Sequence, residues 1–440
     1  MKRPLVVACA LAIATASATA ARSDGTSPSA AASTSGPSGR PLARGAAPVE
    51  SFEVLERLVA DPAGPAEIAV AGTLRGDLVI KRPLHLRGAP GAVLEGTGRG
   101  TVISVQATDV TVEDLVVRHS GRRHTTEDSA IKAAGERVAI RGVRVESSLF
   151  GISLAACKAC LVERAHVIGG DDDDTELRGD GIKLWESHDS IVRKSRVERS
   201  RDLVVWYTRR ALLEDNVVVK SRYGSHFMYA HDARVRRSRF EGNVVGVFVM
   251  YSSRVHVEGN VLAGARGAAG VGLGFKDSDA VEVRGNWLVA NTTGSYLDNT
   301  PRSPAEPVTV AGNVLGLNDV ALRLHSGSPG LHLTGNDFRD NATMVEVDGG
   351  GDALQVDVRG NRFSDYEGYD LDGDGVGDVP YEVKALSTQL TETKPSLKFF
   401  HGTAAMGLVD SVSRAVPVLA SRRLLLDPAP RTTGFEVPIP

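Results

Sequence analysis

An all-β, right-handed parallel β-helix, with an N-terminal capping helix and a partly helical C-terminal tail, is the fold class this sequence predicts. Three observations carry it. The chain of 440 residues holds 47 glycines but only 5% aromatics, which suits a repetitive β architecture with tight corners better than a helical bundle. From about residue 108 one phrase recurs every 21–24 residues, in variants such as "VTVEDLVV", "VAIRGVRV", "SIVRKSRV", "RVHVEGNV", "VTVAGNVL" and "LQVDVRGNRF". Between successive phrases lies a second short alternating run: "FGISLAA", "DGIKLWE", "RDLVVWY", "YGSHFMY", "VGVFVMY" and "GVGLGF". A single coil of this length cannot bury its own apolar side, so such coils must stack, about 4.8 Å apart.

The elements follow in chain order. Residues 1–20, "MKRPLVVACALAIATASATA", join Lys2 and Arg3 to an apolar core containing Cys9 and end at Ala18-Thr19-Ala20, the form of a secretory signal peptide. Residues 21–50 are rich in Ser, Ala, Gly and Pro and read as a disordered linker. The mature protein is then exported, and its cysteines are Cys157 and Cys160. "SFEVLERLVA", 51–60, opens on a Ser at a cap position and spaces its apolar residues as a helix does, which suits a lid on the first coil. The β-helix spans 51–365, and the recurring Gly-Asn pairs, at Asn243, Asn260, Asn286, Asn313, Asn336 and Asn361, mark its bends as corner ladders, since asparagine tolerates the left-handed conformation and hydrogen-bonds neighbouring backbone. An acidic Asp/Gly loop, 366–381, and a tail, 382–440, complete the chain.

Alternation in the second run assigns the faces. Ile182/Leu184, Leu203/Val205, Ser225/Phe227, Val247/Val249 and Val271/Leu273 are almost uniformly apolar and point inward. Lys183/Trp185, Val204/Trp206, His226/Met228, Phe248/Met250 and Gly272/Gly274 then point outward. An ordinary outer face carries Thr, Ser, Lys and Glu. This one stacks Trp185, Trp206, Met228 and Met250, with His226 beside Met228. Thioethers and an imidazole on neighbouring coils form a soft ligand set, suited to transient cuprous copper rather than Mg²⁺ or Ca²⁺. Without metal, the same patch, with Phe248, is a docking surface for a partner protein.

The stretches "GDGIKLWES", "RDLVVWYT", "SRYGSHFMYA", "GVFVMYSS", "SYLDNTP" and "DYEGYDLDGDGVGDVPY" resemble the NosD family, periplasmic maturation factors of nitrous oxide reductase. They occur in the family's order across most of the mature chain. Ser225 departs from the pattern, standing where a larger apolar residue is expected. The resemblance implies a β-helix of the carbohydrate-binding and sugar-hydrolase type without enzymatic activity of its own. It implies an ABC transporter, ATPase plus permease, as partner, and copper received from a small periplasmic chaperone. Its destination is apo nitrous oxide reductase and that enzyme's copper–sulfur cluster.

Other features admit two readings each. Cys157 and Cys160, a CxxC pair in an oxidising compartment, are a disulfide or a thiol pair, and thiolates there would offer copper a second site. Asp370, Asp372, Asp374 and Asp378 space carboxylates around glycines as a structural Ca²⁺ loop does, but position twelve is Tyr381 rather than Glu, and an acidic surface loop is the preferred reading. Asp171–Asp174 read as a solvated charge run. In the tail, Phe399, Phe400 and Met406 belong to an apolar, semi-helical stretch that either caps the last coil or leaves the solenoid to grip a permease; the second is preferred. The fold also hosts polysaccharide lyases and epimerases. Those need a carboxylate pair or an Asp–Lys/Arg set in one groove, whereas Asp180 and Asp202 align at a corner without a basic partner in register. A net charge of -3 excludes a nucleic-acid partner recognised by bulk charge.

Overall fold

The computed structural model describes residues 47–384 except 326, 328 and 349–351, then 390, 394–400, 403, 405, 406, 408, 409, 412 and 423–434. The signal-peptide segment and nearly all of the 21–50 linker lie outside the described residues. Residues 47–50 of that linker do not: Val49 N–H donates to Ala69 O at 2.8 Å, and Val49 O accepts in turn from Ala71 N–H.

The chain winds as a right-handed parallel solenoid with three sheets, two of thirteen strands and one of twelve. Each strand pairs in parallel with its counterpart one coil later. Coiling begins at Glu67–Val70, earlier than the repeat is legible. Inward residues form one continuous apolar core from Leu55 to Leu425. The helix Phe52–Ala60 closes its first end, burying Leu55 and Val59; Ser51 sits at the cap position, but its hydroxyl donates to Glu53 instead of capping.

Two buried polar ladders run along the corners. In the first, Asn260 Nδ2 donates to Asn286 Oδ1, Asn286 Nδ2 to Asn313 Oδ1, Asn313 Nδ2 to Asn336 Oδ1 and Asn336 Nδ2 to Asn361 Oδ1, all at 2.9–3.0 Å. The second links Asn291, Asn318 and Asn341 in the same manner. Asn243 belongs to this second corner, where Ser221 N–H donates to its Oδ1, so the asparagines are not one set. Nor do they adopt the left-handed conformation. The preceding glycines do, with φ of 62° at Gly242 and 64° at Gly285, which leaves each Asn side chain free to turn inward and reach the next coil.

The last amide of the first ladder is met by the tail. Asp427 Oδ2 accepts from both Asn361 N–H and Asn361 Nδ2 at 2.9 Å, and Ala353 N–H donates to Leu424 O. Arg423–Asp427 pairs antiparallel with Tyr381–Lys384, and the Tyr381 ring stacks on Phe363 at 3.8 Å. Residues 381–384 and 423–434 therefore cap the solenoid, whereas much of the apolar stretch 396–419, for which permease docking was preferred to capping, lies outside the described residues. Between them the partner-surface set divides. Phe399 is 88% exposed and Phe400 is exposed, but Met406 is 8% exposed and does not present a surface. Helical spacing predicted an apolar side there without saying which members would be covered.

Cys157 and Cys160 form a disulfide, both sulfurs buried in the coil stack. In this state no thiolate is available to copper. Among the described residues no helix is long and apolar enough to cross a membrane.

Asn313→Ala would leave the buried Asn286 N–H without its acceptor and take one partner each from Asn286 Nδ2 and Val283 O. At about 1–3 kcal/mol per unpaired buried group, it should lower unfolding free energy by roughly 3 kcal/mol in urea titration. Ser225 is fully buried and its hydroxyl has no partner. Ser225→Ala should therefore raise stability, by about 1 kcal/mol on the same scale.

Candidate functional site

The third sheet carries the aligned second runs, and its outer face is built from strands Ile182–Trp185, Asp202–Trp206, Tyr223–Met228 and Val245–Met250. Register pairs Trp185 with Trp206, Trp206 with Met228 and Met228 with Met250, the row expected from alternation. All four are half-buried, while Phe227 and Val249 between them are fully buried in the core. The row continues to Lys276, not Gly274. In that coil the inward pair is Leu273/Phe275 rather than Val271/Leu273. Gly274 lies opposite Phe248, whose ring covers it so closely that a Cβ would sit 2.3 Å from Cε2. Only glycine leaves room for that ring.

The parallel outer row, Lys183, Val204 and His226, is buried, contrary to the exposed ligand expected at 226. Alternation fixes the side on which a residue stands, not what covers that side. Here Glu127 reaches across to pair with Lys183. The Tyr223 ring stacks on His226 at 4.6 Å and 19°, and Trp206 meets it edge-on at 5.3 Å and 90°. His226 is 9% exposed. Its Nδ1 stands 3.6 Å from Asp202 Oδ2, close enough for charge attraction but too long for a hydrogen bond. Both imidazole nitrogens, and Nε1 of Trp206, are buried without a hydrogen-bond partner. Three such atoms at one contact are unusual, because native proteins leave few buried polar groups unpaired and those few concentrate where a site works.

Asp180 and Asp202 do have basic partners, one coil ahead of each. Arg201 Nε and Nη2 donate to Asp180 at 2.9 and 3.0 Å, and Arg222 Nε and Nη2 to Asp202 at 2.9 and 2.5 Å. Each arginine follows a serine, at Ser200 and Ser221, so a comparison one coil apart would have found them. Arg222 is held in turn by Glu176 of the inserted loop at 2.6 Å. Burial pushes the Asp180 carboxyl above its ordinary range despite Arg201. Burial acts the same way on Asp202, but His226 and Arg222 outweigh it and hold the carboxyl below its ordinary range. Burial raises the Tyr223 phenol.

Beside the Trp/Met row runs a second ladder that the sequence reading passed over. Tyr207, Tyr229 and Tyr251 stack at 5.2 and 5.1 Å, each in a left-handed corner, and Tyr207 also touches Trp185 at 5.0 Å. The signal was present in "WYT", "MYA" and "MYS", where tyrosine follows each outward residue. Farther along, the face becomes charged: Lys276 pairs with Asp298, and Arg323 with Glu346.

The remaining candidates lie apart. Carboxylate oxygens of Asp370, Asp372 and Asp374 come within 4.8 Å of one another. Asp378 is engaged elsewhere, accepting from Leu371 N–H at 2.7 Å. Asp171–Asp174 are exposed, and Asp174 caps the short turn Thr175–Leu177 that brings Glu176 to Arg222.

Residues 165–368 match the sequence profile of a family described as periplasmic copper-binding protein (NosD). The chain is 32% identical, over 80% of its own length and 84% of the relative's, to a probable ABC transporter binding protein NosD of Pseudomonas aeruginosa. The chain belongs to the NosD family. A second member, a probable ABC transporter binding protein NosD of Stutzerimonas stutzeri, is 27% identical over 80% of this chain and 83% of the relative. Among solved structures, the chain is similar to a mannuronic acid specific family 6 polysaccharide lyase from human gut microbiota, with 13% identity, a TM-score of 0.48 and coverage of 72% of this chain and 89% of that one. The family match contains the whole Trp/Met face and stops short of the Asp370–Asp374 loop.

Register makes a sharp distinction between adjacent positions. Phe227→Ala should cost about 3–5 kcal/mol, as for other buried phenylalanines, whereas Met228→Ala should cost at most about 1 kcal/mol. Equal losses in thermal or urea unfolding would contradict the assigned faces.

Proposed function

We propose that this protein is a periplasmic accessory factor for maturation of nitrous oxide reductase, handling copper in passage rather than keeping it. On this reading it works with an ABC transporter, its ATPase and permease subunits, receives Cu(I) from a periplasmic chaperone and passes it toward the copper–sulfur site of the apo-reductase. One observation carries the proposal. The outer face of the family-matched coils stacks Trp185, Trp206, Met228 and Met250 in register, directly beside a buried histidine whose ring nitrogens have no hydrogen-bond partner.

The chemistry follows from the donors. Met228 and Met250 present thioethers at the surface, and thioethers favour Cu(I) over harder ions. His226 lies beneath and joins them once the Trp206 edge moves aside. A rigid solenoid holds these groups without wrapping the ion, which suits release to a partner. Trp185, Trp206 and Phe248, with the exposed Phe399 and Phe400, supply apolar contact for those partners. The same proposal assigns Asp370, Asp372 and Asp374 as a structural Ca²⁺ site. An accessory rather than catalytic role is supported by the names of the relatives, which are probable ABC transporter binding proteins.

Competition against a Cu(I) chelator tests the copper site directly. Met228→Ala/Met250→Ala and His226→Ala should each weaken Cu(I) binding at least about tenfold, since loss of even an outer-shell partner of a metal ligand costs about 10–100-fold. In a strain lacking this gene, the triple variant should fail to restore growth on nitrous oxide. Full loading of the reductase by that variant would sink the assignment.

A further inference from the structure

The buried carboxylate behind His226 has a role that neither the family description nor the sequence motifs assign. Asp202 Oδ1 accepts from Arg222 Nε at 2.9 Å and from Tyr223 N–H at 3.3 Å. Its Oδ2 accepts from Arg222 Nη2 at 2.5 Å and stands 3.6 Å from His226 Nδ1. A carboxylate oxygen has two lone pairs. Oδ1 has both in use, whereas Oδ2 retains one, and the unpartnered Nδ1 is the nearby group that lacks a bond. The rest of the imidazole is enclosed by aromatic and apolar neighbours: Tyr223 on its face, Trp206 at its edge, Val204 and Phe248 in the adjacent coils.

We infer that Asp202 is a positioning residue for the metal-binding face: it holds His226 as the Nδ1–H tautomer and leaves Nε2 as the atom that takes Cu(I). The reverse tautomer would set a nitrogen lone pair against an ionised carboxylate in a site closed to water. Arg222 keeps Asp202 in place, and Glu176, carried on the inserted loop, keeps Arg222 in place. A chain of contacts thus runs from an exposed loop to the ligand atom. Carboxylates behind metal-binding histidines act in this way generally, fixing the tautomer and ring orientation. The inference rests on the copper reading only for which atom Nε2 receives; the tautomer itself does not depend on metal.

The test uses metal-free, mature protein labelled with ¹⁵N-histidine, with His226 assigned by comparison with His226→Ala. The wild-type spectrum should show a protonated Nδ1 and an unprotonated Nε2. Asp202→Asn places an amide donor against Nδ1, so the proton should move to Nε2. Cu(I) affinity, measured against bathocuproine disulfonate, should fall about 10–100-fold, as for other such partners. In the His226→Ala background Asp202→Asn should add nothing. Asp180→Asn, which disturbs an equivalent buried arginine pair without touching His226, should change neither readout. A wild-type Nε2–H tautomer would overturn the inference, as would an equal shift in Asp180→Asn or an undiminished effect of Asp202→Asn without His226. Wild type and His226→Ala together decide the tautomer if the aspartate variants fail to fold. Unchanged Cu(I) affinity in His226→Ala with the expected tautomer would instead remove the copper reading and leave the positioning role standing.

Discussion

In-register stacking of the coils is the constraint on which everything else in this molecule depends. Parallel strands repeat about every 4.8 Å along the axis, so any residue type placed once per coil becomes a ladder. Inside, that produces the amide chain from Asn260 to Asn361, in which every side chain bridges two coils. A slip of one residue would turn the core outward and strand buried amides without partners, and both consequences are costly. Ser195, Asn216 and Ser238 carry the first corner back through the coils of the outer face, with Ser195 N–H donating to Asn216 Oδ1, Asn216 N–H to Ser238 Oγ and Ser238 N–H to Asn260 Oδ1, and so lock the register that the face needs.

The outer face inherits that order. Trp185, Trp206, Met228 and Met250 sit side by side because their coils are locked, not because they attract one another across the sequence. The face is also bounded. Lys276–Asp298 and Arg323–Glu346 make the following coils a charged network, so the soft, polarisable surface occupies one stretch of the solenoid. Within it, His226 lies under two aromatic rings and beside a carboxylate already committed to arginine. Enclosure of this kind keeps an imidazole from pairing with water, at a cost in free energy that the structure bears here.

A solenoid has two open ends, and each needs its unpaired edge covered. The helix Phe52–Ala60 meets the first with apolar side chains. At the second, the last amide pair requires an acceptor, and Asp427 provides one from a strand that returns after a long excursion. The same excursion carries the exposed Phe399 and Phe400. One segment of chain thereby combines a structural cap with two exposed aromatic side chains.

Much of this was legible in the sequence. Strand alternation is a local property with a period of two, so the inward residues Phe227 and Val249 and the outward residues Met228 and Met250 could be told apart from neighbours alone. The coil period and the capping helix were legible from local patterns too, whereas the CxxC left disulfide and thiol pair open. Tertiary structure decided what depends on residues a full coil or more away. It set Gly274 against Phe248, placed Asn243 in a separate corner and supplied Arg201 and Arg222 to two aspartates. It buried Met406 and covered His226. Coil lengths vary by several residues and insertions fold back over neighbouring strands. The identity of the group lying above a given side chain is therefore a property of the stack, and no local pattern encodes it.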